Sequence, residues 1–149
     1  MIWIKIAFGV IFGIFMYLSY GSMHKRVQTN IKTTEEQKQY NASTTKLKHQ
    51  VVATMTNLKS TLEGIHDVNT AKSAVDSLQQ VARELKSYLD VMKDLSIDDA
   101  HQIRQYILDF VPHLKQPLIK IQQLRNASSI IDAPIQKIDA SLMYFKVMK

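Results

Sequence analysis

Side chains that commonly carry catalysis or bind cofactors are few in this sequence, and they follow no known catalytic spacing. The chain has no cysteine, which excludes disulfides, CxxC redox chemistry and zinc sites built from thiolates. No GxSxG motif supplies a serine nucleophile, and the four glycines form no phosphate-binding loop. The histidines are His24, His49, His66, His101 and His113. None of them forms an HxxxH or HExxH pair, so we predict a protein that is not an enzyme and holds no metal or cofactor.

The net charge of +6 is distributed unevenly along the 149 residues. Residues 1–60 contain eight basic and two acidic side chains, whereas residues 61–149 contain eleven of each. A nucleic-acid-binding domain needs a cationic face of its own, because phosphate contacts dominate its affinity. The excess charge therefore belongs to the N-terminal part, the remainder is neutral, and nucleic acid is not an expected partner.

Residues 2–20 are almost wholly apolar and predict a segment that enters the membrane. As a helix this stretch is about 28 Å long, close to the thickness of the hydrocarbon core of a bilayer. Lys5 lies within one turn of the start, where its ammonium group can reach the interface. Trp3 and Tyr20 lie at the two ends, where aromatic side chains are enriched. We predict a transmembrane signal anchor over residues 1–23.

A cleaved signal peptide is the alternative interpretation of this segment. Lys5 would then be its charged start and Ser19-Tyr20-Gly21 its small-x-small cleavage site, and the body would be secreted. The bulky residues just before that site favour retention. Gly9 and Gly13 form a GxxxG pattern, which lets two transmembrane helices approach closely. They are candidate residues for helix packing in a homodimer.

Residues 24–45 are polar and basic, and we predict that they tether the body to the anchor. Lys25, Arg26 and Lys32 follow the apolar segment and are candidates for contact with lipid headgroups. The positive-inside rule taken alone would put the body in the cytoplasm. The short region before Lys5 is typical of an export signal, however. We therefore favour a single-pass inner-membrane protein whose body lies in the periplasm, with the cytoplasmic orientation as the alternative.

Residues 46–149 show apolar spacings of three and four, which predict amphipathic helices. The first stripe comprises Leu47, Val51, Met55, Leu58, Leu62 and Ile65. The second comprises Ala71, Ala74, Val75, Leu78, Val81, Ala82, Leu85, Leu89 and Met92. The third comprises Ile103, Ile107, Phe110, Leu114, Leu118, Ile121 and Leu124, and the last comprises Ile135, Ile138, Leu142 and Phe145. Short joints between them predict an all-α fold, a small antiparallel bundle of three or four helices.

Capping residues predict where the second and third helices begin. Asn69 or Thr70 can cap the second helix, since a short polar side chain accepts from an unpaired amide of the first turn. Ser96 and Asp99 have the spacing of a capping box and are expected to open the third helix.

Prolines predict interruptions in the last third of the chain. Pro112 and Pro117 each lack an N–H and crowd the carbonyl four residues earlier, so a kink or break is expected near residues 110–116. A turn is expected at residues 126–129, followed by a last helix with Pro134 in its first turn.

The segment from Leu62 to Ala71, which reads LEGIHDVNTA, resembles the joint between the first two helices of a helical domain of bacterial secreted and envelope proteins. Such joints follow the pattern Leu-x-Gly-Ile-x-Asp-x-x-x-Ala. The resemblance covers residues 50–145, although residues 126–128 replace the Ile-Pro-Gly turn that often follows the third helix. It implies the same fold and placement in the envelope, and it implies no activity.

These observations predict a membrane-anchored, non-enzymatic helical-bundle protein of the bacterial envelope. It would act through protein–protein interaction as a scaffold, accessory subunit or adaptor, with a protein partner or a second copy of itself. One alternative is a module that binds a small ligand in the bundle interior or at the proline kink. Another is an immunity or exclusion factor encoded by a plasmid or phage, which the size and single anchor would fit.

Overall fold

The chain is helical throughout in a computed structural model, which describes the secondary structure of residues 2–147 and the side chains of residues 33–147. The helices are α1 (Ile2–Glu63), α2 (Val68–Met92), α3 (Ile97–Phe110), α4 (Lys115–Gln122) and α5 (Arg125–Val147), with a 3-10 turn at Val111–Leu114. No strand occurs in residues 2–147. The predicted all-α class is therefore confirmed for this part of the chain.

Over residues 33–147, no helix combines the length and apolarity needed to cross a membrane. The anchor predicted at residues 2–20 lies outside that range. So do the candidate residues for helix packing and lipid contact, which are Gly9, Gly13, Lys25, Arg26 and Lys32. These assignments stay predictions from the sequence.

The chain divides into two compact units, Met1–Ser43 and Thr44–Lys149. In the first unit, the described side chains of residues 33–43 are exposed, except for the half-buried Tyr40. The second unit contains the apolar core formed by the described side chains, and it begins two residues before the predicted start of the bundle.

The second unit is a helical bundle in which α1 and α2 run in opposite directions. Contacts between α1 and α2 prove the reversal, because Thr54 bonds to Tyr88 whereas Thr61, seven residues later, bonds to Ser77. The joints between helices span only a few residues. Helices α2 and α5 also pack closely against each other, and residues from the C-terminal halves of both line one groove.

The core follows the predicted stripes closely. All six apolar residues predicted for the first stripe are buried, from Leu47 to Ile65. In the second stripe only Val75 and Leu89 are half-buried, and they pack against the core. Buried residues that were not predicted are Thr44, Thr54, Tyr88, Pro117, Ala127, Ile131, Pro134 and Ser141. Most of these are polar or small residues, which a search for apolar periodicity passes over.

The N-cap of α2 lies two or three residues before the predicted positions. The cap is Asp67, whose carboxylate accepts from the Thr70 amide at 2.7 Å. Thr70 is the third helical residue, and its hydroxyl receives the Asp67 amide in return at 3.0 Å. The reciprocal bonds make an Asp-x-x-Thr capping box, so the prediction of Asn69 or Thr70 as the cap was wrong. The bonds to Thr70 lower the pKa of Asp67 below its ordinary value.

At the start of α3 the predicted cap is confirmed. The Ser96 hydroxyl accepts from the Asp99 amide at 3.2 Å and donates to Oδ2 of the Asp99 carboxylate at 2.9 Å. The other oxygen of that carboxylate receives Lys48 Nζ at 2.9 Å. Helix α1 is thereby joined to the first turn of α3.

The predicted interruption near residues 110–116 is confirmed as the 3-10 turn Val111–Leu114. The predicted start of the last helix was wrong, because α5 begins at Arg125 and Pro134 lies inside it. The turn falls at Gln123 and Leu124, whose amides bond to carbonyls three residues earlier. Since Pro134 is buried, we attribute the uninterrupted helix to packing that offsets the hydrogen bond proline cannot form.

Candidate binding groove

An open groove with a volume of about 820 Å³ runs between the C-terminal halves of α2 and α5. One wall consists of α2 and its C-cap, which contribute Gln79, Ala82, Arg83, Lys86, Leu89, Asp90 and the C-cap residue Lys93. Helix α5 lines it with Lys137, Ala140, Ser141 and Tyr144. Four basic side chains and one acidic side chain are among the residues that line it.

Small residues let the two walls approach at the bottom of the groove. Ala82 and Ser141 are buried there, and Ala140 is exposed beside them. Because these side chains are short, the space above them is left open, while longer side chains rise on both sides. The Ser141 hydroxyl donates to the Lys137 carbonyl at 3.2 Å, so it is satisfied within its own helix. The floor therefore carries no polar group that demands a ligand.

Apolar surface remains exposed within the groove. Leu89 is half-buried, with one side packed on the core, and Tyr144 is 63% exposed on the opposite wall. Large apolar residues of a helix normally face the protein core. An aromatic side chain that is exposed on a concave surface is a typical binding anchor for a partner. A ligand with an apolar surface could cover Leu89 and Tyr144 together.

The walls of the groove are cationic. Arg83, Lys86 and Lys137 form no ion pair with any residue of the described part of the chain. The Arg83 guanidinium instead donates to the neutral Gln80 amide oxygen, from Nη2 at 2.9 Å, which leaves its charge uncompensated. Three positive charges on two facing walls give the groove a positive potential, which favours a negatively charged ligand.

The acidic side chain of the groove is already paired. Asp90 receives Lys93 Nζ at 2.8 Å, one turn further along α2. This bond lowers the pKa of the Asp90 carboxyl and raises the pKa of the Lys93 ammonium, so both groups are charged near neutral pH. The pair contributes no net charge, and Arg83, Lys86 and Lys137 determine the sign of the groove.

Two smaller cavities lie elsewhere. One of about 180 Å³ lies between α1 and α3 beside Val52 and Tyr106. The other, of about 320 Å³, lies along residues 33–41 of the first unit. Neither contains a cluster of unpaired charges. The ligand site suggested by the sequence in the bundle interior is not among these cavities, and neither is the one suggested at the proline kink.

Metal chemistry finds no support in the described residues. Across residues 33–147, no group of three or more His, Cys, Asp or Glu side chains is placed to hold an ion. The histidines of this range are separate and exposed: His49, His66, His101 and His113.

The groove residues were not among the candidates from the sequence. A signal was present, since Arg83, Lys86 and Lys93 follow helical spacing along one face of α2. The neutral total of residues 61–149 concealed it, because the eleven acidic side chains of this part of the chain balance its eleven basic ones. Lys137 and Tyr144 could not be added from spacing, since they come from another helix.

Comparisons with protein-family models, with curated proteins and with solved structures gave no match to this chain. The resemblance to an envelope helical domain therefore stays an expectation from the sequence, and the geometry of the groove carries the functional argument.

Proposed function

We propose that this chain is a membrane-anchored, non-enzymatic helical-bundle protein of the bacterial envelope that acts by binding a protein partner. The groove between α2 and α5 is the observation that supports this best. It combines exposed apolar surface, as at Tyr144, with unpaired cations on both walls. Interfaces of transient complexes have this composition, an apolar centre within a polar rim.

Anchoring is supported by the sequence of residues 2–20, and the periplasmic orientation by its short charged start. A reporter fused after residue 149, active on only one side of the inner membrane, tests the orientation. N-terminal sequencing of the mature protein tests whether the anchor is retained. A reporter active only in the cytoplasm, or a mature chain beginning near residue 21, would contradict this part of the proposal.

Site-specific photo-crosslinking tests the interaction. We would place a photo-reactive amino acid at Ala140 in the groove and, as a matched control, at the exposed Ala53 on α1. In native membranes the proposal expects one defined protein adduct at Ala140 and none at Ala53. Absence of any adduct, or the same adducts at both positions, would contradict an interaction through the groove.

A small-ligand module is the second candidate, and the volume of the groove favours it, since about 820 Å³ falls in the range of ligand sites. Native mass spectrometry of the chain released from membranes distinguishes the two functions. A bound small molecule of defined mass, lost when Tyr144 is replaced by alanine, would favour the ligand module over the partner protein.

A further inference from the structure

We propose that the groove between α2 and α5 receives an acidic amphipathic helix of the partner protein, an inference that rests on the interaction role proposed above. The partner segment would place its apolar side chains over Leu89 and Tyr144. Its Asp and Glu side chains would flank that apolar stripe and face Arg83 and Lys86 on one wall and Lys137 on the other.

The walls of the groove determine that the occupant is a helix. Both walls are helices, and their backbone N–H and C=O groups are bonded within α2 and α5. An extended peptide would find no free main-chain groups to pair with, as it would at a sheet edge. A helical segment satisfies its own backbone and presents only side chains, which is what an apolar floor between two helices can bind.

The length of the groove fits a short helix. Its lining on α2 extends from Gln79 to Lys93, which at helical rise is about 21 Å. A partner helix of about fourteen residues covers that distance. Such a helix presents an apolar residue every three or four positions, enough for contacts with both Leu89 and Tyr144.

The placement of charge determines that the helix is acidic. Unpaired cations lie on both sides of the apolar floor, so an occupant with negative charge on only one flank would leave a wall uncompensated. A helix whose apolar stripe is bordered by carboxylates on both sides meets Arg83 and Lys137 together. Opposite charges arranged in this way affect the orientation of the bound helix and its rate of association more than they affect its affinity.

Shape separates this occupant from other anionic surfaces. Nucleic acid and bilayers present dense phosphate and need a cationic face, whereas this groove has three unpaired cations around an apolar floor. A bilayer surface is also flat, while Leu89 and the small residues beside it lie between two helices. Anionic vesicles are therefore a competing probe in the test.

The test uses the full-length chain in zwitterionic nanodiscs and a fluorescent eighteen-residue helical peptide with a leucine stripe flanked by glutamates. The proposal expects saturable binding that weakens as salt rises, because exposed ion pairs are screened. A peptide with lysine in place of every glutamate is expected not to bind. Equal binding of the two peptides, or displacement of the acidic peptide by phosphatidylglycerol vesicles, would overturn the proposal.

Charge-reversal variants locate the binding. Lys86→Glu with Lys137→Glu is expected to weaken the acidic peptide at least about tenfold, since two attractive pairs become repulsive. The matched control, Lys72→Glu with Lys120→Glu, makes the same charge change at exposed sites outside the groove and is expected to alter the dissociation constant less than about twofold. Equal weakening by the two double variants would overturn the assignment of the groove.

The apolar contact has its own pair of variants. Tyr144→Ala removes the exposed aromatic side chain of the groove, while Met143→Ala removes its exposed neighbour outside it. Only Tyr144→Ala is expected to weaken the peptide, and unchanged binding would contradict an apolar anchor. If the peptide fails to bind but Ala140 still crosslinks to one protein, the acidic helix is wrong and the interaction role stands.

Discussion

A buried chain of hydroxyl groups between α1 and α2 makes Thr54 the most informative position for a stability test. Thr54 is 4% exposed and Tyr88 is 7% exposed. The Thr54 hydroxyl donates its one hydrogen to Oε2 of Glu84 at 2.5 Å. It therefore accepts from the Tyr88 hydroxyl, whose oxygen lies 2.7 Å away. The Glu84 carboxylate also receives the Gln80 amide at 2.9 Å, so it keeps one partner if Thr54 is changed.

The two partners predict unequal losses. Thr54→Val leaves the Tyr88 hydroxyl buried without an acceptor, and we expect the free energy of unfolding to fall by about 2 kcal/mol. Tyr88→Phe removes the donor and leaves Thr54 bonded to Glu84, so we expect a loss of about 1 kcal/mol. In the double variant no orphaned hydroxyl remains at position 88. Its loss should therefore be smaller than the sum of the single losses, with a coupling of about 1 kcal/mol.

Urea denaturation of the four chains, followed by circular dichroism, measures these values, provided that the m-values agree. The reasoning is refuted if Thr54→Val costs no more than Tyr88→Phe and the two losses add.

The pH dependence of the same hydroxyl chain supplies an independent check. Burial raises the pKa of Tyr88 above its ordinary value of 10.0, and the nearby Glu84 charge acts in the same direction. The folded state therefore holds this proton more tightly than the unfolded state. The stability this contributes is present below pH 10 and is lost as the pH rises through the raised pKa. We expect the free energy of unfolding to fall more steeply above pH 10 in the parent chain than in Tyr88→Phe, and parallel curves would contradict this.

Three further substitutions test other parts of the bundle. Thr44 is buried with a hydroxyl that has no hydrogen-bond partner, so Thr44→Val should raise the free energy of unfolding by about 1 kcal/mol, and a loss of similar size would contradict this. Asp67→Ala should lower the urea midpoint by removing the cap of α2, whereas Asp67→Asn should retain most of the parent's stability. Because the pKa of Asp67 is lowered in the folded state, the difference in stability between the parent and Asp67→Ala should shrink as the pH falls through that pKa. A difference that does not change with pH would argue against the charged cap. Arg104 donates from Nε to the Phe145 carbonyl at 2.6 Å, so Arg104→Gln should cost about 1 kcal/mol and speed amide exchange in the last turn of α5, whereas unchanged exchange would refute this role.

Errors in predicting the helix ends have one physical origin. Asn69, Thr70 and Asp67 are all residues that can cap a helix, and spacing alone does not choose among them. The choice follows from which backbone amide each side chain reaches, and the reciprocal bonds of Asp67 and Thr70 determine it. Pro134 was expected near a helix start because proline is favoured in the first turn of a helix. The residues next to Pro134 in the sequence do not indicate that it is buried in the middle of α5.

The apolar spacing determined by itself that residues 46–147 fold as a bundle, and which face of each helix turns inward. A stripe such as Leu47 to Ile65 has to be buried by other helices, because water exposure of so many large side chains would cost too much free energy. The absence of catalytic motifs and the uneven charge were also readable from the sequence.

Only the tertiary structure decided which helices lie side by side. Thr54 and Tyr88 lie 34 positions apart in the sequence. Their hydroxyl groups are hydrogen-bonded because α1 and α2 pack side by side in opposite directions. Lys86 and Lys137 line one groove because α2 and α5 pack closely over small side chains. Pairings of this kind depend on how helices pack around a shared core, which periodicity within a single helix does not specify. The stripes therefore predicted the bundle, while its packing created the cationic groove.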